Sequence, residues 1–176
     1  MHVFLTGGTR VGKSTVVRRF LVRSGLSADG FMTYWEVDAD GGRSLYLAPY
    51  RKMGDAPLAG GDPNRRLLAR RHGGGLERVD GLTDVFDSYG ARILDGCGHR
   101  DVIVMDELGF LESQAGVFQA AVMRHVDGGV PIVGVMRSAK TEFLDVLRCH
   151  PAIEVREVTA KSRDAVVEWL ASRTWT

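Results

Sequence analysis

The sequence predicts an α/β protein whose sheet is mostly parallel and covered by helices. Short apolar runs alternate along the chain with segments in which apolar residues recur at helical spacing. Two of these runs are followed directly by glycines or by acidic residues, as is typical of buried parallel strands whose carboxyl ends face a ligand. The 176 residues, with a formal net charge of +1 and 44% hydrophobic residues, fit one compact domain over residues 1–176.

The first half of the chain predicts a strand, a loop, a helix and a hairpin. Residues 2–6 form an apolar run before two glycines, and apolar residues then recur at helical spacing from Ser14 until Gly25 ends the helix. Residues 31–35 and 44–47 resemble strands, and the aspartates and glycines between them predict a small β-hairpin insertion.

The middle of the chain predicts a mobile loop, and the remainder predicts alternating strands and helices. Residues 52–76 are rich in glycine, proline and arginine and show no periodicity, so we expect a mobile loop there. After it, helices are expected at residues 82–94, 117–126, 143–147 and 165–170, and strands at residues 102–105, 130–135 and 153–158.

Charge, apolar runs and cysteine content exclude several classes of partner and location. The near-zero net charge argues against a nucleic-acid partner or an anionic membrane, because both require a surplus of positive charge. No leader peptide and no run approaching about 20 apolar residues is visible. Two cysteines, Cys97 and Cys149, suit a reducing compartment. We expect a soluble, cytoplasmic protein, and the sequence leaves a protein partner open.

A phosphate-binding motif follows the first predicted strand. Residues 7–14 match the pattern G-x-x-x-x-G-K-S/T at every required position. In such a loop backbone N–H groups surround phosphate oxygens, the lysine reaches the β and γ phosphates, and the hydroxyl ligates Mg²⁺. The expected nucleotide-binding residues are Gly7, Gly8, Thr9, Arg10, Val11, Gly12, Lys13, Ser14 and Thr15. Lys13 is also expected to act in catalysis, and Ser14 as a ligand of the metal cofactor Mg²⁺.

Two adjacent acids follow the apolar run at residues 102–105. A carboxylate at the end of a neighbouring buried strand can hold Mg²⁺ through its water shell, so Asp106 is the second expected metal residue. Glu107 would then point toward the γ-phosphate and orient and partly deprotonate an attacking water. The alternative for Glu107 is a structural pairing at the strand end.

Cations after the next predicted strand are candidates for transition-state stabilisation. Phosphoryl transfer requires positive charge beyond the loop lysine and the metal ion. Arg137 follows the run at residues 130–135, and Lys140 comes three residues later. We assign the catalytic role to Arg137, with Lys140 as the alternative and an ordinary surface cation as the competing interpretation.

Taken together, these motifs resemble the THEP1-type nucleoside-triphosphatase family over nearly the whole chain. The resemblance rests on the phosphate loop, on residues 30–33 (Gly-Phe-Met-Thr), on residues 106–112 with Phe118, and on Val158-Thr159 with Arg163-Asp164. It implies a P-loop NTPase three-layer sandwich with a RecA-like central sheet, Mg²⁺, and a nucleoside triphosphate such as ATP or GTP as substrate. Phe110 stands where the family usually has lysine, and Ser162 where it has asparagine.

The sequence therefore predicts a Mg²⁺-dependent nucleoside-triphosphatase of broad base specificity. Two alternatives stay open: a small-molecule or nucleotide kinase, and a nucleotide-gated binding or assembly module with slow hydrolysis. The arginine-rich segment at residues 51–78 could close over a triphosphate or contact RNA, although a solvated loop is favoured because no aromatic residues for base stacking are interleaved in it. Trp35, beside the hairpin, is a candidate for base stacking, although a core or edge position is favoured.

Overall fold

A computed structural model describes residues 1–50, 63–72 and 75–175, and within them eight strands form one sheet. The sheet order is β5-β4-β3-β2-β6-β7-β1-β8. The strands are β1 (His2–Thr6), β2 (Ala28–Val37), β3 (Arg43–Pro49), β4 (Arg66–His72), β5 (Gly75–Arg78), β6 (Val102–Leu108), β7 (Ile132–Met136) and β8 (Ile153–Glu157).

Helices cover both faces of this sheet. They are α1 (Lys13–Ser24), α2 (Leu82–Asp84), a π-helical stretch (Val85–Gly90), α3 (Ala91–Asp95), α4 (Gly116–Val126), α5 (Glu142–Cys149) and α6 (Arg163–Ala171). Buried residues of α1 and α6 pack on one face, and those of α2 to α5 pack on the other. The predicted α/β class with helices on both faces is confirmed, and the predicted helix at residues 82–94 contains a π-helical middle.

Side chains alternate between the two faces of the buried strands, so one sheet contributes to a hydrophobic core on each face. In β1, Val3 and Leu5 face α1 and α6, whereas Phe4 faces the opposite layer. Gly134 of β7 lies beside Phe4 in the parallel register. A Cβ at Gly134 would come within 2.2 Å of the Phe4 ring, so this position requires glycine for the two strands to pair.

The predicted hairpin is present, but it is part of the central sheet. Strands β2 and β3 pair in antiparallel register, and the Asp38 N–H donates to the Gly42 carbonyl at 2.9 Å across the turn. However, β2 also pairs in parallel with β6. The hairpin is therefore the start of an antiparallel meander, β2 to β5, that widens the five parallel strands β2, β6, β7, β1 and β8.

The expected mobile loop at residues 52–76 is wrong in part. Residues 66–72 form β4 and residues 75–78 form β5, and Leu68 and Ala69 are fully buried. The buried pair Leu68-Ala69 packs into the core while antiparallel bonding to β3 and β5 satisfies the β4 backbone. Four arginines around this pair hid the strand from a periodicity analysis. Residues 51–62 and 73–74 lie outside the described residues.

The expected adjacency of the phosphate-loop strand and the Asp106 strand is also wrong. Strand β7 lies between β1 and β6 and pairs in parallel with both. The carboxyl ends of all three strands consequently meet at one edge, with the residues after β7 in the middle. Across residues 1–50, 63–72 and 75–175, every helix is too short or too polar to cross a membrane.

Candidate active site

The phosphate loop leads from the end of β1 into α1, and its glycines are required by its shape. Gly7 and Gly12 have φ of 131° and 94°, where side chains with a Cβ are strained. A Cβ on Gly7 would also lie 2.2 Å from the Val158 carbonyl oxygen. The loop therefore packs directly against the segment that follows β8, and Gly12 turns the chain into the N-terminus of α1.

Lys13 is held by the loop itself. Its Nζ donates to the Gly8 carbonyl at 2.9 Å and to the Gly7 carbonyl at 3.1 Å. The side chain is buried, and it lines the cleft at the carboxyl edge of the sheet. The ammonium group is thus fixed beside the same backbone that would surround a phosphate.

Ser14 and Asp106 are brought together from elements 92 residues apart in sequence. The Ser14 hydroxyl donates to Oδ1 of Asp106 at 3.0 Å. Burial raises the pKa of the Asp106 carboxyl to about 7; the Ser14 hydrogen bond opposes that shift, and the neighbouring Glu107 adds to it.

These two side chains suit a divalent cation. Both offer hard oxygen ligands, and Mg²⁺ is usually held by one or two protein oxygens together with water and substrate phosphates. A buried carboxyl group with a raised pKa also gains most from a nearby cation, because the cation stabilises its charged form. Ser14 and Asp106 are therefore the residues that would hold the metal ion.

Glu107 forms an ion pair with Arg137 across the carboxyl ends of β6 and β7. Arg137 Nε donates to Oε1 of Glu107, and both side chains are partly buried. The Glu107 N–H donates to the Thr33 hydroxyl of β2 at 3.4 Å, and the Arg137 N–H donates to the Leu108 carbonyl at 2.9 Å. Three neighbouring strands thus position this acid and this cation.

Arg148 of α5 fixes the segment after β7. Its Nη2 donates to the carbonyl of Arg137 at 2.8 Å and to that of Ala139 at 2.7 Å. Arg137 lines the cleft, whereas Lys140 is exposed and does not line it. The sequence did not predict a role for Arg148, because a single arginine on an amphipathic helix gives no indication of which backbone carbonyls it binds.

The phenylalanine that replaces the family's usual lysine lies among cations. The Phe110 ring lines the cleft, 5.5 Å from the guanidinium carbon of Arg78 and 5.7 Å from that of Arg137. At these distances each guanidinium group interacts favourably with the ring. Phe110 therefore supports Arg137 beside Glu107.

The late motif lies on the other side of the phosphate loop. The Val158 N–H donates to the Thr6 carbonyl at 2.8 Å, and Arg163 packs against Gly12. Ser162, where the family usually has asparagine, accepts a hydrogen bond from the Thr159 N–H at 2.9 Å. The residues identified by resemblance are therefore neighbours of the loop in space.

One cleft of about 720 Å³ joins most of these groups. It is lined by residues of the phosphate loop, of β2 to β6 and of the segment after β7. The lining includes Gly7, Gly8, Thr9, Arg10, Lys13, Ser14, Asp106, Glu107 and Arg137. The volume lies in the range of ligand pockets for small molecules and cofactors. Val11, Gly12 and Thr15, also predicted to bind nucleotide, are not among the lining residues.

A strand, glycine loop and helix that face a strand-end acid across one intervening strand define a P-loop nucleoside triphosphatase. The chain belongs to the NTPase family, whose model matches residues 2–171.

Relatives and solved structures agree with this family over nearly the full length. The chain is 29% identical to "Nucleoside-triphosphatase THEP1" of Methanopyrus kandleri, with 98% of both chains covered. It is 30% identical to the "Cancer-related nucleoside-triphosphatase homolog" of Mus musculus, covering 94% of this chain and 92% of the relative. The solution structure of a human cancer-related nucleoside triphosphatase superposes with a TM-score of 0.67 at 26% identity, covering 98% of this chain and 99% of that one. The crystal structure of THEP1 from Aquifex aeolicus, at 23% identity, shares the fold with a TM-score of 0.68 over 98% of this chain and all of that one.

Proposed function

We propose that this chain is a Mg²⁺-dependent hydrolase that cleaves the β–γ bond of nucleoside triphosphates with broad base specificity, giving a nucleoside diphosphate and phosphate. The observation that carries the proposal is the meeting of two pairs at one edge of the sheet: Ser14 with Asp106, and Glu107 with Arg137. The first pair suits a metal-bound triphosphate, and the second suits an attacking water and a developing negative charge. A cytoplasmic location and a single domain over residues 1–176 are part of the proposal.

In the proposed reaction the phosphate loop binds the triphosphate, and residues at the strand ends carry out the hydrolysis. Backbone N–H groups of residues 7–14 and the Lys13 ammonium hold the β and γ phosphates. Ser14 and Asp106 would hold Mg²⁺, which when bound would neutralise phosphate charge. Glu107 orients a water molecule and accepts its proton as the water oxygen bonds to the γ phosphorus and the bond to the β-phosphate oxygen breaks. Arg137 stabilises the charge that develops on the γ-phosphate oxygens.

Broad base specificity follows from where the acting residues lie. Every group assigned a role would act on phosphate, metal or water, so the proposed chemistry does not depend on the identity of the base. The kcat/KM values for phosphate release from ATP, GTP, CTP and UTP should therefore lie within about tenfold of one another. A tenfold range corresponds to a difference of about 1.4 kcal/mol in transition-state binding between the bases.

The test is phosphate release from each of the four triphosphates without any added acceptor, with Mg²⁺ and with EDTA in its place. Release that requires Mg²⁺ and no acceptor supports hydrolysis. A strict requirement for an acceptor would show a kinase instead, and release unaffected by EDTA would contradict the metal assignment.

A further inference from the structure

The cleft extends past the Glu107–Arg137 pair onto the antiparallel part of the sheet. Neighbouring strands lie about 5 Å apart, so β6 lies about 10 Å from β1, and β3 lies about 10 Å beyond β6. The phosphate loop and the strand-end acids occupy the first half of this width. The second half is lined by Thr33, Trp35, Arg43, Leu45, Arg71 and Leu76.

Two arginines flank the tryptophan in this second half. The guanidinium carbons of Arg43 and Arg71 each lie 5.5 Å from the centre of the Trp35 ring. Trp35 pairs with Leu45, and alternation along β3 puts Leu45 and Arg43 on the same face of the sheet. Arg71 is directly opposite Arg43 on β4. The register thus presents all three side chains to the cleft.

Neither of these two arginines forms an ion pair with an acid of the described residues. Like charges directly opposite on adjacent strands destabilise a sheet, and no acid is among the six residues of this half. The Nε of Arg43 is buried with no hydrogen-bond partner in the described part of the chain. Arg65, which directly precedes β4 and packs on Tyr46 at 3.9 Å, forms an ion pair with Glu36.

We propose that Trp35, Arg43 and Arg71 form a second ligand site that takes a nucleoside monophosphate beside the triphosphate. The two guanidinium groups hold the phosphate, since arginine pairs bind phosphate oxygens in a fork. The flat base packs against Trp35 and the apolar side chains of Leu45 and Leu76, which suit an aromatic ring. The inference rests on the proposed function, because the triphosphate occupies the first half of the cleft.

The experiment is calorimetric titration of AMP into the protein saturated with Mg²⁺ and a non-hydrolysable ATP analogue. We expect one AMP per chain. Arg43→Gln, Arg71→Gln and Trp35→Leu should each weaken it roughly tenfold or more, because each removes a charge-assisted bond or a ring contact. Arg70→Gln, one residue from Arg71 and on the opposite face of β4, is the matched control and should bind AMP as the unmodified protein does. The melting temperature of each variant confirms folding.

Several outcomes would overturn the site. AMP displaced by the analogue, or bound equally by Arg43→Gln and Arg71→Gln, would place AMP elsewhere. Ribose 5-phosphate binding as tightly as AMP would remove the role of Trp35, and a short single-stranded oligonucleotide binding more tightly than AMP would indicate nucleic acid as the ligand.

Lys13→Ala separates this inference from the proposed function. In that variant the analogue should no longer bind, whereas AMP titrated alone should bind as it does to the unmodified protein without the analogue. Loss of AMP binding together with analogue binding would place AMP on the phosphate loop and overturn the second site. Retention of analogue binding would contradict the phosphate-loop assignment. In that case AMP binding alone would decide whether the second site exists.

Discussion

Glu112 is a buried acid that connects the end of β6 to α4. Its carboxylate accepts a hydrogen bond from the Gly109 N–H, and its carbonyl accepts one from the Gln119 side chain at 2.8 Å. Burial raises the pKa of the Glu112 carboxyl to about 7, against the pull of the Gly109 hydrogen bond. The Glu112 side chain, which lies three residues after Gly109, is therefore partly protonated at neutral pH.

This raised pKa predicts a loss of stability as the pH rises. Between pH 4.5, the ordinary glutamate pKa, and pH 7 the folded state binds more protons at Glu112 than the unfolded state does. The stabilisation is complete below pH 4.5 and is lost as the pH rises through 7. Relative to Glu112→Gln, the unmodified protein should lose on the order of a few kcal/mol across this range, at about 1.4 kcal/mol per pKa unit.

Denaturant unfolding of both proteins at several values between pH 5 and pH 8, without nucleotide or metal, measures this difference. Asp106 remains in both proteins, so its own raised pKa cancels in the comparison. Parallel pH profiles for the two proteins would contradict the assignment to Glu112.

Single residues with a fixed spacing were the most predictable part of the site. The spacing of Gly7, Gly12, Lys13 and Ser14 is set by the local path of the backbone around a phosphate, so it is visible in sequence. Arg148 was missed because its partners are backbone carbonyls of the segment after β7, and Thr33 was part of a motif without a role because its partner is a backbone N–H of β6. Trp35 was a candidate for base stacking only because it lies next to the hairpin, and its arginine neighbours depend on cross-strand register.

Helix α5 positions the candidate active site by holding the segment that follows β7. The side chain of Arg148 bridges two carbonyls of that segment and also forms an ion pair with Asp145 at 2.6 Å. The Thr141 hydroxyl caps the helix by accepting the Leu144 N–H at 3.2 Å. The helix thus holds the backbone from which Arg137 reaches Glu107.

Replacing Arg148 should therefore impair turnover more than substrate binding. Arg148→Met leaves two carbonyls without their donor, frees the Arg137 segment and should lower kcat about tenfold or more with little change in KM, since a small misplacement of a catalytic group is costly. Arg124→Met is the matched control, because Arg124 of α4 forms an exposed ion pair with Asp95 at 2.6 Å outside the cleft. Steady-state kinetics of both variants checks this, and equal kcat values would contradict a positioning role for Arg148.

The sequence predicted the strands that consist of continuous apolar residues, but it did not predict the strands in which apolar residues are mixed with arginines. β1, β6 and β7 are buried on both faces and appear as continuous apolar runs. β5 is the edge strand and β4 lies next to it, and together they carry four arginines, so composition favoured a loop there. Only tertiary pairing with β3 makes β4 a strand.

At the scale of the whole molecule, strand order decides which side chains share the cleft. Periodicity predicts strands but not their neighbours, so the position of β7 between β1 and β6 could not be predicted from it. That order places Arg137 between the phosphate loop and Glu107. It also places β2 to β4 beyond Glu107, where the cleft continues past the residues assigned to hydrolysis.

The central claim is that Glu107 activates water for attack on a bound triphosphate. Its most direct test is single-turnover phosphate release by Glu107→Gln, with the protein in saturating excess over ATP and with saturating Mg²⁺. ATP binding is measured on the same variant, and Glu142→Gln, which changes an exposed glutamate of α5, is the control. We predict a fall in rate of about 10² to 10⁴, as for loss of a general base, with ATP affinity retained. A Glu107→Gln variant that releases phosphate at the rate of the unmodified protein would contradict the claim.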